Sequence, residues 1–185
     1  NMNNLEYLTT IDAWLTSFSY SFQFYYDFTA YVDMATGSAL MLNVVLPQNF
    51  NSPFKATNLI NFWQRWHMTL TSFLTNYLYT PWLMSLKKLN FFKSMVLLFV
   101  VFFLAGLWHG PSWNYIIFGS LHGIGLIANH LYRKFIKINL NKLLSIFFTL
   151  NYVNLTFIFF RNKDIFESIN LINKMFSLKL NFYNL

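Results

Sequence analysis

The sequence predicts an all-α integral membrane protein, a polytopic helical bundle supplemented by re-entrant or interfacial helices. Three observations predict it. The 185 residues are 56% hydrophobic and 22% aromatic. Only 10% are charged, where a soluble domain carries about a quarter. Positive charge also gathers at the ends of apolar runs, as juxtamembrane charge does: Lys87, Lys88 and Lys93 form one cluster, and Arg133, Lys134, Lys137 and Lys142 another.

The elements follow in order. Residues 13–46 form the first apolar stretch, which contains Asp27 and Asp33. Tyr20, Gln23, Asp27 and Tyr31 recur at spacings of three and four, so one helical face carries the polar groups. That face is expected to look into protein or water rather than lipid. "LPQNFNSPF" (46–54), with two prolines and three amide side chains, reads as a loop. Residues 58–84 mix Trp63, Trp66, Tyr77, Tyr79 and Trp82 with Arg65 and His67, and read as amphipathic interfacial or re-entrant helices. Residues 94–109 are apolar but short for a full span, which needs about 20 residues. Residues 113–132 are long enough, and 143–160 form a third uncharged run. Gly110-Pro111 breaks the helix between the first two of these runs, because proline lacks a donor and clashes with the preceding turn. If the two form a hairpin, both basic clusters lie on one side, which the positive-inside rule makes cytoplasmic. Arg161, Lys163, Lys174 and Lys179 then conflict with that rule if the last run spans.

The net charge of +7 does not indicate a nucleic-acid partner, because no separate basic domain exists. No cysteine is present, which excludes disulfides, thiolate metal sites and a cysteine nucleophile. No HExxH motif occurs and no two histidines are three or four apart, so no metal is expected. The first residue is Asn and no signal peptide is visible, so a piece of a longer chain is expected.

His109 is the first candidate for chemistry. A histidine here either bridges helices or acts as a functional group. The Gly-Pro break favours the second reading, because broken backbone at membrane depth is tolerated where it is buried in protein or lines a watery cavity. A neutral imidazole in such a cavity can serve as a general base. His67, between Trp66 and Met68, is read either as an interfacial histidine of an aromatic belt or as a site residue. His122, among Gly119, Gly123 and Gly125, reads as an interhelical hydrogen-bonding group. His130 belongs to the interface beside the basic cluster. Asp27 and Asp33 read first as packing groups paired with a buried Arg or Tyr, Arg65 being a candidate partner. Ser112 reads as a helix cap rather than a nucleophile.

Four blocks occur in a fixed order: "YSFQFYYDFTAYVDMATG" (20–37), "LPQNFNSPF" (46–54), "NFWQRWHMTLTSFLTNYLYTPW" (61–82) and "AGLWHGPSWNYIIFGSLHGIGLIANHLYR" (105–133). Together they resemble the membrane-bound O-acyltransferase family, and within it the bacterial alginate O-acetyltransferase branch. "NLTFIFFRNKDIFESINLINKMF" (154–176) resembles that branch's following helix. The resemblance implies that residues 1–185 are part of one membrane domain, with amino-terminal helices and the extreme carboxyl end lying outside it. It implies that His109 matches the catalytic histidine and His67 the second characteristic polar position. Arg65, Trp108, Asp27 and Asp33 are the supporting or substrate-binding candidates. The family's usual Arg-Arg is Gln64-Arg65 here, its Arg-Asp-Tyr is Thr75-Asn76-Tyr77, and its Phe-Ser-Gly-Tyr-Ser-Asp is Phe28-Thr29-Ala30-Tyr31-Val32-Asp33. The histidines are untouched by these departures.

The implied activity is transfer of an acyl group, acetyl above all, to a hydroxyl of an extracellular or cell-envelope polysaccharide. His109 is the implied general base, and His67 with Arg65 orients substrate or stabilises the oxyanion. No tightly bound cofactor is expected. The acyl donor is a substrate, acetyl-CoA or another acyl thioester. The expected surroundings are membrane lipids, the polysaccharide acceptor and a periplasmic or extracellular acetylation partner, in a multi-pass protein of the bacterial cytoplasmic membrane. D-Alanyl transfer to teichoic acid is the alternative within the same chemistry. A transporter or a non-catalytic assembly subunit is the alternative outside it.

Overall fold

A computed structural model describes residues 9–88, 90–138, 140–162 and 164–177; Lys163 and Lys179, named in the charge argument, lie outside the described residues. All regular structure among the described residues is helical. α1 (Thr10–Met41) starts at a capping box: the Thr9 hydroxyl accepts from the Asp12 amide, and the Asp12 carboxylate accepts from the Thr9 amide. Short α2 (Leu59–Trp63) follows the 44–58 loop. α3 (Met68–Phe73) and α4 (Thr80–Ser85) are joined by a π-helical stretch, Leu74–Tyr79, into one rod. α5 (Phe91–His109) and α6 (Trp113–Leu131) form an antiparallel hairpin, followed by α7 (Lys142–Arg161) and α8 (Ile165–Phe176).

The hairpin forms as the Gly-Pro break predicts. α5 ends at His109, and Gly110 adopts φ +152°, which favours glycine. The Ser112 hydroxyl caps α6 by accepting from the Asn114 amide. Glycine then sets the helix spacing. A Cβ on Gly106 would collide with the Tyr115 carbonyl, and one on Gly119 with the Phe102 carbonyl. Small residues bring the two backbones into direct contact, as in membrane helix pairs. The far ends of the hairpin meet too: Lys134 Nζ sits 3.8 Å from the centroid of the Phe91 ring. The two basic clusters therefore share one end of the hairpin, as expected.

Two helices among the described residues are long and apolar enough to cross a membrane, α5 and α7. The sequence reading of the first run is corrected here. The run called short at 94–109 begins at Phe91, because Asn90 caps it by accepting from the Lys93 amide. Nineteen residues rise about 29 Å, close to the hydrocarbon thickness of about 30 Å. The run at 113–132 has the expected length and lies antiparallel along α5; it is less apolar than α5, because it carries the buried Asn114, His122 and three glycines that pack inside the bundle. The outer faces of α5 and α7 instead show Phe92, Val96, Leu143, Phe147 and Phe148.

The packing face of α1 is not its polar one. Its inward face is Ala13, Ser17 and Ser21, followed by Phe24 and Phe28. The small residues let α7 approach, and Ser21 Oγ donates to Asn154 Oδ1 at 2.7 Å. Trp14 Nε1 donates to the Met175 carbonyl at 2.8 Å and anchors α8. Gln23, Asp27 and Tyr31 do share a face, but it is the exposed one. The packing stripe on this helix is small and aromatic, and the polar stripe points away from it.

The core is aromatic. Phe62, Trp63, Trp66, Phe102, Phe118 and Phe157 are buried together between α2, α5, α6 and α7. The edge-on arrangements suit the ring quadrupoles, as between Trp63 and Phe102 at 4.9 Å.

Candidate active site

The histidines of α6, of the α2–α3 turn and of the α5 terminus differ in what their ring nitrogens touch. His122 is fully buried. Trp63 Nε1 donates to its Nδ1 at 3.3 Å. Its Nε2 lies 3.0 Å from Thr156 Oγ1, whose own hydrogen goes to the Val153 carbonyl at 2.7 Å. The indole can only donate, so Nδ1 accepts and Nε2 carries the proton. Both nitrogens are engaged, and the ring ties α2, α6 and α7 together. The expected interhelical role is what the structure shows.

His67 is half-buried and caps α3 in the left-handed region, at φ 44° and ψ 54°. A non-glycine residue there is uncommon and needs support. Asn49, only 7% exposed, supplies it. Asn49 Oδ1 receives the Thr69 amide at 3.1 Å and the Thr69 hydroxyl at 2.8 Å, and lies 3.1 Å from His67 Nδ1. The backbones are stitched as well: Met68 N donates to the Asn49 carbonyl and Asn51 N to the Arg65 carbonyl, both at 2.9 Å. Burial, and then the neighbouring His109, push the His67 imidazole down to about 4, so it is neutral near pH 7.

His109 has no hydrogen-bond partner at either nitrogen among the described residues. Its ring lies in an aromatic cage: Trp108 at 5.0 Å, Phe160 at 5.1 Å edge-on, Phe118 at 6.0 Å and Tyr115 at 6.1 Å between centroids. The cage connects to His67 through stacked and edge contacts. Phe160 meets Phe24 at 4.9 Å, Phe24 meets Phe28 at 6.2 Å, and Phe28 meets His67 edge-on at 4.9 Å. His109 and His67, 42 positions apart in sequence, are thus linked by a continuous relay of packed aromatic rings, His109 with both ring nitrogens unengaged among the described residues and His67 with Nδ1 held by Asn49.

The other candidates fall elsewhere. Arg65 does not pair with Asp27 or Asp33. Its Nε donates to Asn61 Oδ1 at 3.0 Å and one terminal nitrogen donates to the Asn51 carbonyl at 3.1 Å, so it braces the 49–51 loop. Asp27 and Asp33 are exposed, with no hydrogen bond or ion pair among the described residues. Trp108 is 68% exposed and packs against the His109 ring. His109 closes the α5 span instead of dividing it, at the end of the hairpin opposite the basic clusters. Asn49 was not singled out by sequence reasoning. The amide-rich loop between Pro47 and Pro53 was its only signal. The cage residues Phe118 and Phe160 gave none, since they look like any aromatic of an apolar run.

Residues 2–163 match the sequence profile of the membrane-bound O-acyltransferase family. The chain belongs to that family. Among its relatives is a peptidoglycan O-acetyltransferase of Helicobacter pylori, 44% identical over 92% of this chain and 33% of the relative. A probable alginate O-acetylase of Pseudomonas aeruginosa is 40% identical over 66% of this chain and 23% of that protein. A teichoic acid D-alanyltransferase of Bacillus subtilis is 30% identical over 66% of this chain and 32% of its own length. The chain thus spans a third or less of each of these O-acyltransferase relatives. The histidine pair and its aromatic wall lie within the stretch matched to the family.

Proposed function

We propose that this chain carries the acyl-transfer site of a membrane O-acyltransferase that moves an acetyl group onto a hydroxyl of a cell-envelope glycan. Peptidoglycan is the favoured acceptor, from the 44% identity to a peptidoglycan O-acetyltransferase over nearly the whole chain. The observation that carries the chemistry is His109, a partly buried imidazole with both nitrogens unengaged at the end of a broken helix. It takes the hydroxyl proton as the oxygen attacks the carbonyl of an acyl thioester or comparable donor. The tetrahedral adduct then collapses, the bond to the leaving group breaks, and the imidazolium returns the proton to that group. The aromatic wall limits water, which would otherwise take the acyl group.

The topology agrees with an acceptor outside the cell. The basic ends of the hairpin belong in the cytoplasm of a bacterial inner-membrane protein by the positive-inside rule. His109 then lies toward the opposite face, where a cell-envelope glycan is found. The donor arrives from the cytoplasmic side, and a periplasmic or extracellular protein is the proposed partner.

The test uses the full-length protein containing this segment. His109→Ala and His109→Gln are expected to abolish ester-linked acetate on isolated peptidoglycan at normal membrane abundance. Near-normal acetylation by His109→Gln would refute the base assignment, since glutamine bonds hydrogen but does not cycle a proton.

A further inference from the structure

Asn49 Oδ1 collects three contacts, of which the Thr69 amide at 3.1 Å is an unambiguous donor; the Thr69 hydroxyl lies 2.8 Å from this oxygen and 3.5 Å from His67 Nδ1, so its hydrogen goes to the nearer acceptor, Asn49. An atom that accepts a backbone N–H is the carbonyl oxygen of the amide, so the orientation of Asn49 is fixed by chemistry. The third contact is His67 Nδ1 at 3.1 Å. Facing a pure acceptor, Nδ1 must carry the ring's proton. A neutral imidazole has only one, so Nε2 is bare.

We infer that Asn49 is a positioning residue that locks His67 in its Nδ1–H tautomer, so that His67 receives a hydroxyl of the glycan acceptor at Nε2. This rests on the acyltransferase reading above. Of the two roles expected for His67, orienting substrate or stabilising the oxyanion, it selects the first: a bare nitrogen accepts hydrogen bonds and cannot donate one to a developing oxyanion. The proton of the reacting hydroxyl still goes to His109.

The surroundings are built for such a lock. Asn49 is 7% exposed, and its own backbone carbonyl holds the Met68 amide at 2.9 Å, so the oxygen cannot swing away. The left-handed backbone of His67, at φ 44°, turns the ring back toward the 49–51 loop. Phe28 packs edge-on against the imidazole at 4.9 Å. After burial, the neighbouring His109 is what bears on the His67 charge; the Arg65 guanidinium is held on Asn61 and the Asn51 carbonyl. Burial and His109 both hold His67 neutral near pH 7, the state in which tautomer matters.

The experiment is ¹⁵N-histidine NMR on the full-length protein in nanodiscs, paired with acetyl transfer to a soluble peptidoglycan fragment. The His67 signal is identified by its loss in His67→Gln. The wild type is expected to show a protonated Nδ1 and a bare Nε2. Asn49→Ala is expected to lose that preference and raise the acceptor KM about tenfold, the scale of one hydrogen bond, with a smaller change in kcat. Asn49→Asp keeps an acceptor oxygen for both Thr69 and His67. It is expected to retain the tautomer and restore transfer at alkaline pH. Its carboxylate stabilises the imidazolium, so the acid limb of the rate profile is expected to move upward by about one pH unit or more.

A wild-type His67 protonated at Nε2 would overturn the inference. So would an Asn49→Ala protein, folded and inserted, whose tautomer is unchanged. The wild-type spectrum decides even if Asn49→Ala fails to fold. The NMR readout needs no acyl transfer, so the expected tautomer in a wild type that transfers nothing would sink the functional reading and leave the Asn49 lock standing.

Discussion

His122 and the His67–His109 pair occupy the same bundle under opposite rules. At His122 every ring nitrogen is spoken for: an indole donates to one and a threonine oxygen receives the other. At His67 one nitrogen is held and one is spare. At His109 neither is held among the described residues, and aromatic rings fix the imidazole by shape alone. The most buried histidine is therefore the least available for chemistry. Depth in the bundle does not mark the candidate site; unspent hydrogen-bonding capacity does.

The largest effect that sharpens this comparison is on rate. His109→Ala should lower acyl transfer by roughly 100- to 10,000-fold, the range general-base catalysis contributes. Melting temperature and membrane abundance should stay near wild type. His122→Ala should do the reverse. It leaves the Trp63 indole unpaired and buried and opens a cavity, and should cost about 2–5 kcal/mol of stability. Transfer per folded molecule, measured against detergent-resistant protein, should largely persist. Equal loss of rate in both variants at equal abundance would erase the distinction.

Trp63→Phe is the finer probe. It keeps the ring in the core but removes the donor to His122, and should cost about 1–2 kcal/mol in thermal unfolding without touching kcat. Acidification probes the neutral state of His67. His67 has a folded pKa near 4, lowered from 6.5 by burial and then by His109. The unfolded state therefore binds the proton more readily, and the contribution to stability falls as pH drops through the window from 6.5 to about 4. His67→Gln should flatten unfolding temperature across that window. The smallest effect concerns orientation. Cysteines at Lys88 and Lys137 should leave transfer unchanged and resist an impermeant thiol reagent outside intact cells. Labelling at one position only would contradict the hairpin geometry.

Much of the fold was legible because the membrane simplifies it. Apolar runs, the Gly-Pro break and the charge clusters report directly on length, interruption and sidedness, and the α5–α6 hairpin follows from them. The interhelical role of His122 was legible from its glycines, which only make sense where backbones touch. The face carrying Asp27 was legible from periodicity, but not that the described helices pack against the opposite one. The serines at 17 and 21, not the polar groups, proved to be the packing side. Asn49 was hidden for a different reason. Its function comes from pairing with residues 18 and 20 positions away, and loop composition holds no record of that.

α1 is 32 residues long without a break. Such a rod rises about 48 Å, well beyond a hydrocarbon layer of about 30 Å, yet it is not among the helices apolar enough to cross one. Asp27 is exposed on it, and the next residue, Phe28, is the ring that abuts His67. An exposed carboxylate at that level requires water or protein beside it, not lipid chains. One side of a single helical turn thus faces a hydrated or protein-covered boundary, while the other packs a ring against His67.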